Sequence, residues 1–109
     1  MDRAATLKGK REMAGYTQQG LADSVGVHVR TVSRWERGAL PVPDDVLEFL
    51  DSELERQRTL VDSMLDEIEN GASTILPYDR TDGFANAVSR QVAEHLLMLG
   101  EPYWFEYES

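Results

Sequence analysis

Three glycines, Gly15, Gly26 and Gly38, divide the amino-terminal part of the chain into stretches that are long enough only for short helices. Leu7, Arg11 and Ala14 recur at helical spacing ahead of Gly15, which predicts a helix over 3–14. Thr17 is placed to cap a second helix over 18–25, which buries Leu21, Ala22 and Val25 and stops at Gly26, a residue able to take positive φ in a tight turn. Val27 fills the space between helices. His28 stands at the N-cap of a third helix over 29–37, with Val32 and Trp35 facing inward and Gly38 ending it. Helices joined by so few residues must cross steeply.

The remainder is built differently. Ala39-Leu40-Pro41-Val42-Pro43 cannot continue a helix, because both prolines lack the amide hydrogen, so it reads as a connector. Asp44 is expected to cap a helix that runs to Asn70-Gly71, about 40 Å at roughly 1.5 Å per residue. Leu47, Leu50, Leu54, Gln57, Val61, Met64 and Ile68 form a heptad seam along it, interrupted once by Gln57. A long helix with one apolar stripe needs cover, and the expectation is that Val61, Met64 and Ile68 meet a second copy. Six of the nine aromatic residues then fall between Tyr78 and Tyr107, so the tail needs a core of its own. A strand is predicted over 74–78, a helix over 83–99 from Phe84, Val88, Val92, Leu96 and Leu99, and a strand over 103–107. In that last strand Tyr103, Phe105 and Tyr107 alternate with Trp104, Glu106 and Glu108, the period of a sheet with one covered face. Two strands are marginal in water, so the tail calls for a second subunit's strands or cover from the long helix, and Tyr103 and Phe105 join the dimerisation set.

Charge is divided along the same line. The formal net charge of −9 argues against a nucleic-acid partner, but residues 1–43 carry seven Lys and Arg against four Asp and Glu, while residues 44–109 carry four against sixteen. Any anion-binding surface therefore lies in the first part. With no cysteine, neither a disulfide frame nor a thiolate metal site can be built. No signal-peptide pattern and no run of 18 apolar residues occurs, so a cytoplasmic chain without membrane or cofactor is expected.

The residues Leu7-x-x-x-Arg11, Ala14-Gly15-Tyr16-Thr17-Gln18-x-x-Leu21-Ala22, Val25-Gly26-Val27 and Thr31-Val32-Ser33-Arg34-Trp35-Glu36-Arg37-Gly38 resemble the Cro/C1-type helix-turn-helix family. The resemblance implies a DNA-binding head whose third helix lies in the major groove. The expected fold class is mostly α: a helix-turn-helix head over 1–43, then, over 44–109, a long connecting helix and a small C-terminal β-α-β dimerisation element. Arg30 and Arg34, four apart on the outward face of the third helix, are expected to read bases, since paired arginine contacts to guanine are the commonest specific ones. Val29 and Ser33 are expected beside them. Gln18, Thr31, Arg37 and His28 are assigned to phosphates, with Lys8 and Lys10 adding steering charge. Arg11 and Glu36 fall where the family carries an internal ion pair. Gly20 and His28 depart from the family, which usually has Glu or Ala, and Ser or Thr, at those places. Beyond Gly38 the order of elements resembles the anti-CRISPR-associated regulators and implies a homodimer that represses its own phage or mobile-element operon.

The function expected is sequence-specific repression, with two third helices reading an inverted repeat in double-stranded DNA about 34 Å apart. Catalysis finds no support: there are only His28 and His95, no phosphate loop and no metal-binding pair of histidines. An antitoxin-type regulator, with the aromatic tail holding a partner protein, is the alternative.

Overall fold

The structure, a computed structural model, describes residues 1–108. Its elements are α1 (Arg3–Ala14), α2 (Gln18–Val25), α3 (Val29–Glu36), α4 (Asp44–Glu69), β1 (Ile75–Tyr78), α5 (Gly83–Met98) and β2 (Trp104–Tyr107). Each expected element is present, with ends within two residues. The local chemistry explains the boundaries. Asp2 accepts from the Ala5 N–H and Thr17 from the Gly20 N–H, satisfying donors that the first turn of a helix leaves open. Gly15 at φ 83° and Gly26 at φ 75° carry the chain out of α1 and α2 in the left-handed region, where a side chain would be strained.

The chain forms two compact units, Met1–Leu54 and Glu55–Ser109. In the first, Leu7, Ala14, Leu21, Ala22, Val32 and Trp35 of the three short helices share a core with Val42, Val46, Leu47 and Leu50. The division between the compact units falls inside α4, beyond the proline connector. The physical reason is that three short helices cannot close their own core. The first turns of α4 supply Val46, Leu47 and Leu50, and Leu50 is wholly buried. Outside this core, Tyr16 packs on Phe49 with ring centroids 6.0 Å apart and donates a hydrogen bond to Glu53 Oε1 at 2.5 Å.

In the second unit, β1 and β2 are paired in parallel, Ile75 with Trp104 through Tyr78 with Tyr107, and α5 makes the crossover between them. Leu76 sits in a core with Val61, Val88, Val92, Ala93 and Leu96, and Met64, Leu65, Ile68, Phe84 and Tyr103 pack against it. The corner between β1 and α5 is held by polar bonds. Asp79 accepts from the N–H groups of Thr81 and Asp82 and from the Thr81 hydroxyl, and these bonds hold its carboxyl below the ordinary range. Asn86 receives the Asp79 N–H and returns its amide to the Asp79 carbonyl.

The residues expected at a dimer surface are placed unevenly. Val61 is buried in the β-α-β core of its own chain, while Met64 and Ile68 pack against that core and stay partly exposed. Gln57, wholly buried where the heptad pattern breaks, is part of the same economy and accepts from the Gln91 amide at 2.8 Å. The covered face expected of the last strand is found only at Tyr103, which is half-buried, whereas every residue of β2 is exposed. No helix among the described residues is long and apolar enough to cross a membrane.

If the first turns of α4 belong to the first core, Leu50→Ala lowers unfolding free energy by about 2–5 kcal/mol, the range for truncating a fully buried leucine. Urea denaturation followed by circular dichroism measures it, and a change below about 0.5 kcal/mol, typical of a surface site, contradicts the assignment.

Candidate nucleic-acid interface

The third helix is amphipathic by position. Val32 and Trp35 are buried, at 0% and 5% exposure, and the turns between them lift Arg30 and Arg34 into solvent. Neither guanidinium makes an ion pair or side-chain hydrogen bond among the described residues, in contrast to Arg3 and Arg11 of the same unit, which are both engaged. Two guanidinium groups without a carboxylate partner, four apart on an exposed helix face, are free to meet a ligand. Val29, Thr31 and Ser33 flank them and are half-buried, with Val29 resting partly on the core.

What holds this face in place is polar. Arg11, buried at 9% exposure, donates from Nε to Glu36 Oε2 at 2.6 Å and from Nη2 to Oε1 at 3.0 Å. Its Nη1 donates to the Tyr16 carbonyl at 2.8 Å, so α1, the turn into α2 and the end of α3 share one guanidinium. Burial alone would raise the Glu36 carboxyl. The hydrogen bonds from Arg11 and Gln18, with the charges of Arg11 and Lys8, outweigh it and hold the group below its ordinary value of 4.5. The hydrogen bonds that Arg11 donates to Glu36 favour its own charged form as well and raise the guanidinium.

The expected phosphate contacts are placed unevenly. His28 is exposed and caps α3, its Nδ1 accepting from the Arg30 N–H at 3.1 Å. An accepting Nδ1 puts the ring hydrogen on Nε2, which is a donor in the neutral ring. His28 thus offers a donor at the mouth of α3 without needing protonation. Arg37 is exposed and its Nε folds back to the Ser33 carbonyl at 3.4 Å. Gln18 is half-buried, and its amide donates to Glu36 Oε1 at 3.2 Å. One amide hydrogen is therefore committed internally, leaving the second and the backbone N–H of the first turn of α2. Lys10 does not supply free steering charge: it is paired with Asp51 of α4, a partner that sequence spacing gave no means to foresee. Gln19, exposed in the first turn of α2, donates to Asp23 at 2.8 Å.

The positive side chains, the capped start of α3 and the short turn at Gly26 together describe a helix pair built to present one face. Residues 7–55 match the family model described as Helix-turn-helix. The match supports a helix-turn-helix head of the Cro/C1 type, that of a DNA-binding transcription regulator. The match ends almost where the first compact unit does, so the start of α4 is part of the helix-turn-helix domain. No curated protein matches the chain.

The helix-turn-helix should fail when its clamp does. Arg11→Ala leaves Glu36, whose side chain is only 4% exposed, as an uncompensated buried charge, and lowers stability by about 3–5 kcal/mol. The pH dependence follows from the depressed Glu36 carboxyl. Its contribution is complete above 4.5, the unfolded value, and disappears as pH falls through the lower folded value. Stability measured from pH 7 down to 3 should decline more steeply in the native chain than in Glu36→Gln.

Proposed function

We propose that the chain is a sequence-specific repressor that binds an inverted repeat as a homodimer, with α3 of each head in the major groove. The observation that carries this reading is the pair Arg30 and Arg34, exposed on α3 and free of internal partners. A guanidinium left without a carboxylate in a chain with 20 acidic residues keeps its full donor fork for guanine O6 and N7. Val29 and Ser33 border the same face, where a methyl or hydroxyl meets a base edge. Thr31, Arg37, the Nε2 of His28 and the remaining donors of Gln18 serve to position phosphates. The order of a head, a long helix, a strand and an apolar helix resembles that of anti-CRISPR-associated regulators, which makes control of its own phage or mobile-element operon the proposed setting.

A second reading, a regulator whose tail also holds a partner protein, is favoured by one observation, the exposure of Trp104, Phe105 and Tyr107.

Selection from random DNA tests the first reading. The native chain should enrich a two-fold symmetric sequence. Each of Arg30→Ala and Arg34→Ala should cost about 1–3 kcal/mol of discrimination at one base pair of each half-site, while circular dichroism stays native. A double variant that selects the same sequence with the same preference rules out base reading by these arginines.

A further inference from the structure

The second unit ends in a sheet of two strands, a number that is marginal in water, and its outer strand β2 is exposed throughout. Which backbone groups face outward follows from the pairing. The Trp104 N–H donates to the Thr74 carbonyl and the Glu108 N–H to the Tyr78 carbonyl. Alternate residues of a strand point to opposite edges, so the N–H and C=O groups of Tyr103, Phe105 and Tyr107 point away from β1 to an open edge. That edge lacks two of the usual guards: Trp104–Tyr107 contains no lysine and no proline. The far edge of β1 is different, because Pro77 faces outward there and has no hydrogen to donate.

We infer that β2 pairs antiparallel with β2 of a second copy, in the register that sets Phe105 opposite the partner's Phe105. This rests on the homodimer reading above and gives it an interface. Residues opposite one another in an antiparallel pair share a face, so the two-fold axis must pass through a residue position. Centred on Phe105, it sets Tyr103 against Tyr107 and matches the outward N–H and C=O groups of all three residues. On the other face Trp104 meets Glu106, and no carboxylate opposes another. Centred on Glu106, the pairing would place two carboxylates opposite each other, at Cα atoms about 4.5 Å apart, which is destabilising. Centred on Trp104, it would leave Tyr107 beyond the paired segment.

The occupant is a second copy because the strand fits its own reverse. Aromatic rings fall against aromatic rings on the α5 side, and Trp104 covers the stem of Glu106 on the other. The rings are also ordered in advance. Phe105 contacts Tyr78 and Tyr103 with centroids 5.2 and 6.0 Å apart, and the Arg80 guanidinium lies 3.8 Å over the Tyr107 ring. Trp104, Phe105 and Tyr107 are 55%, 42% and 54% exposed, so their apolar surface is available to drive the contact. The product is a four-stranded sheet with two strands from each copy, enough for independent stability.

The chain has no cysteine, so single cysteine variants report the register directly. Opposed positions of the closely spaced kind lie within disulfide reach. Trp104→Cys mixed with Glu106→Cys, allowed to exchange subunits and then oxidised, should give a covalent dimer, whereas either variant alone should not. The full chain should sediment as a dimer, and Phe105→Arg, made at an already exposed position, should sediment as a folded monomer. A native chain that sediments as a monomer at micromolar concentration removes the homodimer reading and this interface with it. A native dimer with no mixed cross-link, with self-cross-linking of Glu106→Cys or Trp104→Cys, or with Phe105→Arg still dimeric refutes the interface and leaves the homodimer reading standing.

Discussion

The aim of α3 depends on one guanidinium with little water around it. Arg11 reaches Glu36 through two bonds and the Tyr16 carbonyl through a third, so a single side chain fixes the end of α3 against α1 and the turn that leads into α2. An eight-residue helix has little stability of its own and takes its orientation from what it is packed on. Val32 and Trp35 supply the apolar part of that packing, but an apolar stripe alone tolerates rotation about the helix axis. The two-point pair does not, since a bidentate arginine–carboxylate bond has a fixed plane. The same bond that is costly to bury therefore sets the direction in which Arg30 and Arg34 leave the surface. Glu36 also takes the Gln18 amide, which ties the start of α2 to the end of α3.

The helix α4 shows how one apolar stripe is used twice. Leu47 and Leu50 complete the first core, Val61 lies in the second, and Gln57 stands between them with its oxygen satisfied by Gln91. A heptad seam in a sequence is usually taken as a sign of another helix. Here the period is real but its partners are different elements of the same chain. Periodicity reports which side of a helix is covered and is silent about what covers it. For the same reason the compact units divide inside α4, beyond Pro41 and Pro43. Prolines interrupt a helix, but a compact unit ends where burial ends, and that is decided by long-range contacts that local composition does not encode.

What was legible in the sequence was whatever local chemistry determines. Thr17, His28 and the glycines set helix ends through caps and positive φ, and the structure has them in those roles. Arg11 and Glu36 were readable only because a familiar spacing joined them, since nothing about residues 25 apart in sequence predicts a bond. Lys10 and Asp51 lack such a pattern, and their pairing was invisible. The parallel pairing of β1 and β2 was equally hidden, although the helix between them makes it the natural arrangement, because a β-α-β crossover returns the chain in the same direction.

Charge and exposure then act at separate places. The first unit spends Arg3, Lys10 and Arg11 on carboxylates of its own and leaves Arg30 and Arg34 unspent. Had all five been solvated, the surface would be diffusely basic and would attract any duplex through phosphates alone, an attraction without sequence information. Neutralising some cations internally lowers that background and keeps the two to which the proposal assigns base edges. The acidic residues of the second unit act in the same sense, because they contribute no attraction to phosphate at any sequence. Discrimination is a difference between two affinities, and on the proposed reading the formal charge of −9 serves it by weakening the attraction to every duplex alike.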